Sequence, residues 1–394
     1  MRFLAPLRDS YPAARLWLAC WLGLAGACHP GGDCAAVEHV LVNRNGGLQR
    51  LSGEVLEEDS VGSLLLATDE GGLWPISADS IEERTSDSAP LVRLDGDQLG
   101  ARLREELGEN FQLHDSKNYI VCFNTTQAYA KWCSSLLERL QKAFISFWKK
   151  KGCDIEQPEE PLAVLVFGDR RSYERYAKQD LGGSVGNAIG YYSLQTNRIV
   201  MYDLTGSQSL RRQTNRRGKL QDITALLRQP AAEPLVATVV HEATHQIAYN
   251  CGLQKRYVDN PVWLSEGMAM YFETPDLRSN RSWRGIGLVN YARWDLFVQN
   301  DRAGKNGTLK DLIASDDRFR NGRTAVDAYA EAWAWNYFLI KWRGKDYVDY
   351  LDTLRAKPLL RYDSPAQRVA DFEKHFGDLA ELEEEFVRRM RRID

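Results

Sequence analysis

The sequence predicts an α+β protein: a small N-terminal β-module, a mixed central region and a helical C-terminal half. Three observations predict it. Residues 38–95 carry short β-rich runs separated by glycine turns. Residues 96–206 interleave strand-like and helical stretches, and from about residue 220 the apolar spacing is helical nearly throughout. With 394 residues, 44% hydrophobic and 27% charged, the chain can bury one large core or two to three smaller ones. Its formal charge of −3 gives no bulk electrostatic case for nucleic acid. The local basic run "RRQTNRRGKL", Arg211 to Leu220, reads as a solvated loop.

The start of the chain reads as an export signal. Arg2, Arg8 and Arg15 precede "LWLACWLGLAGA", an uncharged apolar run of twelve that is too short to span a bilayer and long enough for a signal-peptide core. Ala25-Gly26-Ala27 supplies the small residues a signal peptidase needs, which places cleavage before Cys28. "LAGAC" also resembles a bacterial lipobox with Cys28 as the lipidated residue, and both readings cut the same bond. The expected mature chain, carrying about −5, is exported: periplasmic, a cell-envelope lipoprotein or extracellular. No second apolar run approaches eighteen residues, so no transmembrane helix is expected in it. Five cysteines follow Cys28 without CxxC spacing, and Cys122 and Cys133 either pair or stay as buried thiols.

The elements follow in order. Asn45-Gly46-Gly47 sits between two β-rich runs, a hairpin signature, and Glu70-Gly71-Gly72 repeats the pattern. Four or five such strands predict a small β-barrel or curled sheet with too little core to be an enzyme by itself. "GDQLGARLREELGENF" (96–111) is a linking helix, "YIVCF" (119–123) a strand, and residues 125–152 a long amphipathic helix that opens on threonine and closes on Gly152. "PLAVLVFG" is a buried-type strand followed by the short helix "DRRSYERYAKQDL". Residues 187–204 alternate around Gln195-Thr196-Asn197 as a hairpin, and "GGSVG" (182–186) matches no phosphate-loop spacing.

The chemistry concentrates in "VVHEATHQIAYN" (239–250). Glu233-Pro234 opens this helix and Gly252 ends it. His241 and His245 therefore stand one turn apart on one face, where two imidazoles reach one tetrahedral zinc. Glu242 can approach a water on that metal without binding the metal itself. The chain holds only six histidines, which makes this spacing a rare coincidence on a bland helix. Downstream, Asn260-Pro261 opens "VWLSEGMAMYFET", with Pro275 as its stop. Glu266 inside it, twenty residues beyond His245, offers a third ligand on a packed helix, and Gly267 would let the two helices approach closely. The three-histidine spacing HExxHxxGxxH fails, because Ala248 and Cys251 occupy its glycine and histidine positions.

HExxH followed by a "WLSEG" helix resembles the gluzincin metallopeptidases. The resemblance implies a zincin-like core, His241, His245 and Glu266 as zinc ligands, and Glu242 as general base. Residues 40–390 also look like an uncharacterised bacterial family of exported proteins built on a peptidase-MA-like core. The stretches that carry this include "GYYSLQTNRIVMYDLTG" and "AYAEAWAWNYFLI". Gluzincins place an edge strand beside the zinc, which here implies Ile199 to Leu204 as a surface for an extended substrate or as a plain internal strand. They also use a Tyr or His from the C-terminal helices on the oxyanion. Tyr329 is the preferred candidate and His375 the other; the alternative for each is a packing or structural role. Glu273, seven residues after Glu266, either orients a histidine or is a solvated carboxylate.

The resulting expectation is an exported zinc peptidase acting on a peptide or protein substrate. Residues 1–27 are its leader, 38–95 an accessory β-module, 96–206 the first half of the catalytic domain, and 207–394 the zinc helices and a helical subdomain. The competing expectation is an inert envelope binding protein that keeps the gluzincin fold.

Overall fold

The computed structural model describes residues 36–44, 46–183, 188–206, 219–274 and 283–393. The expected leader, Cys20, Cys28, Cys34, Asn45, Pro275 and most of the basic run lie outside the described residues. The chain is mixed α and β with small sheets. It divides at Arg93/Leu94 into two compact units.

In the smaller unit, β1 (Ala36–Arg44), β2 (Gly47–Glu58), β3 (Leu64–Thr68), β4 (Leu73–Ile76) and β5 (Ile81–Pro90) form an antiparallel sheet of order β4-β3-β2-β1-β5. Arg44 pairs with Gly47, and Gly46 between them takes φ +79, the left-handed conformation that a two-residue hairpin turn requires. Val40, Val42, Leu51, Leu64, Leu66 and Ile76 make its core. Of the two expected forms, a barrel or a curled sheet, the described strands make an open sheet with β4 and β5 as its edges. Closure would need β5 to continue the apolar inner face, and β5 ("IEERTSDSAP") is exposed at every position after Ile81.

The larger unit begins with α1 (Gly96–Leu107), capped reciprocally by Asp95 and Gln98. Its sheet has the order β6-β7-β8-β10-β9, from β6 (Gln112–Asp115), β7 (Tyr119–Phe123), β8 (Leu162–Phe167), β9 (Gly190–Tyr192) and β10 (Ile199–Tyr202). The three central strands are parallel and the two edges antiparallel. Strand alternation sends Val121, Val164 and Met201 to one face and Cys122, Leu165 and Val200 to the other. The second face is covered by α1 and α3 (Arg170–Leu181). The first carries α2 (Gln127–Lys150), α4 (Leu220–Leu227) and α5 (Glu233–Asn250).

The remaining helices extend that larger core. They are α6 (Val262–Phe272), α7 (Tyr291–Arg302), α8 (Leu309–Ala314), α9 (Asp317–Arg320), α10 (Ala325–Trp342), α11 (Gly344–Arg355), α12 (Pro365–Phe376) and α13 (Leu379–Met390). Cys122, Cys133, Cys153 and Cys251 are free and buried. Cys122 faces α1 and α3 while Cys133 lies in the core on the opposite side of the sheet, which separates the expected pair. Among the described residues no helix is long and apolar enough to cross a membrane.

Candidate metal centre

Helix α5 is fastened to the sheet by its polar residues. The fully buried Gln246 amide donates to the Ala163 carbonyl at 3.0 Å and the Asn197 carbonyl at 2.9 Å. Asn250 and Asn197 exchange side-chain hydrogen bonds of 2.7 and 2.8 Å. Asn197 adopts φ +60 at the β9–β10 turn, a conformation asparagine tolerates better than most residues. These contacts hold β9 against α5, and there the Tyr192 N–H donates to Glu242 Oε2 at 2.8 Å. Glu242 accepts no second hydrogen bond among the described residues.

The strand beside the candidate site is therefore β9. The expected substrate strand, Ile199 to Leu204, is internal over Ile199–Tyr202, where β10 lies between β8 and β9. A hairpin pattern cannot reveal which of its strands pairs onward with β8.

Helix α6 brings Glu266 to α5. Its first turn is satisfied from outside: the Val262 N–H donates to Asp316 Oδ1 at 3.0 Å, and the side chain of Asn260, the expected cap, instead donates to the Lys255 carbonyl. Arg368 grips both Asp259 and Asp316, with nitrogen–oxygen distances of 2.6–3.1 Å, and all three side chains are buried. Gly267 does serve a close approach, but toward α10. A Cβ there would stand 2.4 Å from the Ala332 carbonyl and 1.9 Å from the Asn336 amide.

The imidazole His241 Nε2 lies 3.1 Å from Glu266 Oε2 and 3.2 Å from His245 Nε2, and His245 Nε2 lies 3.5 Å from Glu266 Oε1. Ligand atoms about 2.1 Å from a tetrahedral centre stand about 3.4 Å apart, so the separations match the edges of such a site. On its other side His241 Nδ1 meets Glu273 Oε2 at 2.9 Å. With a proton on Nδ1 for that carboxylate, a neutral His241 turns its Nε2 lone pair toward His245 Nε2 and a Glu266 carboxylate oxygen. Two imidazole nitrogens and a carboxylate converging in a buried place call for a positive occupant, a metal ion or, in its absence, a proton on His241. His241, His245 and Glu266 can hold a metal ion.

The electrostatics of the metal-free triad agree. Burial alone would lower the His241 pKa, but Glu266 and Glu273 outweigh it and lift it to about 10. Burial opposes ionisation of Glu266, yet His245 and His241 hold its carboxyl well below the usual range. Burial raises Glu242 above the usual carboxylate value, against the pull of both histidines.

Tyr329 lies on α10, buried edge-on against Phe319. Burial lifts its phenol pKa far above normal, and the charges of Glu266 and Glu242 lift it further. His375 is elsewhere: its Nε2 bonds Thr353 Oγ1 at 2.9 Å and its ring packs on Tyr350 between α11 and α12. Three residues at the site carry no local sequence signal. Tyr192 touches Glu242, while Asn290 (2.7 Å) and Arg293 (3.7 Å) reach Glu273 Oε1.

Residues 235–360 match the model of a protein family of unknown function, DUF1570. The match starts in the first turns of α5 and ends just beyond α11, so it covers both triad helices and α10, about a third of the chain. No curated protein matches the chain.

Proposed function

We propose that this chain is an exported zinc-dependent hydrolase with a gluzincin-type core that cleaves peptide bonds. The observation that carries the reading is the convergence of His241, His245 and Glu266, with Glu242 poised beside them on the same helix as His241. Two imidazoles and one carboxylate suit zinc, and three protein ligands leave one position open, as in catalytic zinc sites. Bound there, zinc would supply Lewis acidity, making water a nucleophile at neutral pH and polarising a carbonyl.

The remaining work belongs to the chain. Glu266 and the two Nε2 atoms would hold the ion, and Glu273 would orient His241 from behind. Glu242 takes the proton of the attacking water on its carboxylate and returns it to the leaving amine. Its Oε2 is fixed by the Tyr192 N–H, which leaves the other oxygen for that transfer. Tyr329, a protonated phenol at any working pH, donates to the developing oxyanion. The outer edge of β9 offers backbone groups for an extended peptide beside the site.

Metal analysis of the purified mature chain tests the ligand set. About one zinc per chain is expected for the parent, and His245→Ala should lose most of it. Full zinc occupancy in that variant would sink the assignment.

A further inference from the structure

We infer that Asn290, at the N-terminus of α7, is a positioning residue for the metal site that acts through Glu273 on the ring of His241. This rests on the zinc reading and extends it to an element that contributes no ligand. Glu273 Oε2 receives His241 Nδ1 at 2.9 Å, and its other oxygen receives Asn290 Nδ2 at 2.7 Å. Arg293 Nε stands 3.7 Å from that same Oε1, and both charged side chains are largely buried. A carboxylate gripped at both oxygens cannot swing, so the imidazole plane it holds is fixed as well.

The orientation of the Asn290 amide is itself determined. Its Oδ1 accepts the Arg293 N–H at 3.3 Å and caps α7, so Nδ2 is the atom left to face Glu273. A flipped amide would set oxygen against carboxylate and leave the cap unmade. The approach to α7 is also tied to the end of α6. The Thr274 hydroxyl donates to the Gly285 carbonyl, and the Gly287 N–H donates to the Tyr271 carbonyl at 3.4 Å. Gly287 takes φ +72, and a Cβ there would stand 2.4 Å from the Tyr271 hydroxyl, so the chain passes closely over α6 at that point. The start of α7 is thus registered against Glu273 from two directions.

The competing role for Asn290 is that of a helix cap alone, and two variants separate the roles. Asn290→Asp keeps the capping oxygen and opposes Glu273 with a second carboxylate; Asn290→Ser keeps a capping oxygen and removes the amide donor. The measurement is the zinc dissociation constant of the full mature chain, by competition with a chromogenic chelator, alongside the visible spectrum with Co2+ in place of zinc. Asn290→Asp should weaken zinc binding by about tenfold or more, within the range for lost outer partners of a metal ligand, and alter the Co2+ bands. The melting temperature of metal-free Asn290→Ser, which adds no charge and keeps a capping oxygen, should stay near the parent's. Adding Glu273→Gln to Asn290→Asp restores a donor toward the aspartate and an acceptor for His241 Nδ1, so part of the affinity should return. If Asn290→Asp does not fold, Asn290→Ser carries the test with a smaller loss expected. Parent-like affinity and Co2+ spectrum in a folded variant would overturn the inference alone. A parent that binds no zinc would overturn the metal reading and this inference with it.

Discussion

Tyr329 shows how one side chain can be both packed and chemically placed. Its ring packs edge-on against Phe319, and the charges of Glu266 and Glu242 add to burial in raising its phenol pKa. A packing role and a donor role make different predictions. Tyr329→Phe removes only the hydroxyl, so zinc content should be unchanged. Loss of an oxyanion donor should slow turnover by about 10²-fold with little change in KM. Unchanged turnover in that variant would reduce Tyr329 to packing. The histidine spacing was legible in the sequence because i and i+4 are neighbours on any helix. Tyr192 was not, because its contact with Glu242 joins residues fifty positions apart and depends on the way β9 is docked.

At the scale of elements, the site is held by contacts that leave no periodic trace. The sequence pattern places α5 and α6 and their boundaries closely, since proline openings and the Gly252 stop are local signals. It assigns Gly267 to the wrong neighbour, because a glycine says that something approaches but not what: here it is α10. It also gives no hint of Arg368, more than a hundred residues beyond the loop it grips. That guanidinium pairs with both Asp259 and Asp316, and Asp316 in turn satisfies the Val262 N–H that opens the Glu266 helix. Arg368→Met would remove the cation that Asp259 and Asp316 share and leave Asp316 only the looser Arg320 contact at 3.8 Å, a loss worth about 3–5 kcal/mol. The melting temperature should fall accordingly, with zinc affinity weakened as the α6 N-terminus loosens. A melting temperature equal to the parent's would contradict this account of how α6 is anchored.

For the whole molecule, composition and turn chemistry foretold an α+β chain, but closure of the N-terminal sheet depended on β5 having a face to bury, and it has none. The triad, Glu242, Glu273 and Asn290 all fall within the unit that starts at Leu94. Export is a separate claim. Intact-mass measurement of protein from its native host should show residues 1–27 missing, with a lipid adduct on Cys28 distinguishing a tethered from a free form; mature material beginning at Met1 would sink both. The central claim, that the metal site performs hydrolysis, is tested most directly by digesting a diverse peptide library with the zinc-loaded chain and with Glu242→Gln at equal zinc content. Glu242 makes no hydrogen bond or ion pair with the triad, and glutamine keeps its size while removing the basic oxygen. The variant should keep its zinc and its melting temperature, and lose roughly 10²–10⁴-fold in turnover. Undiminished cleavage by Glu242→Gln, or a zinc-loaded parent that cleaves nothing, would contradict the account.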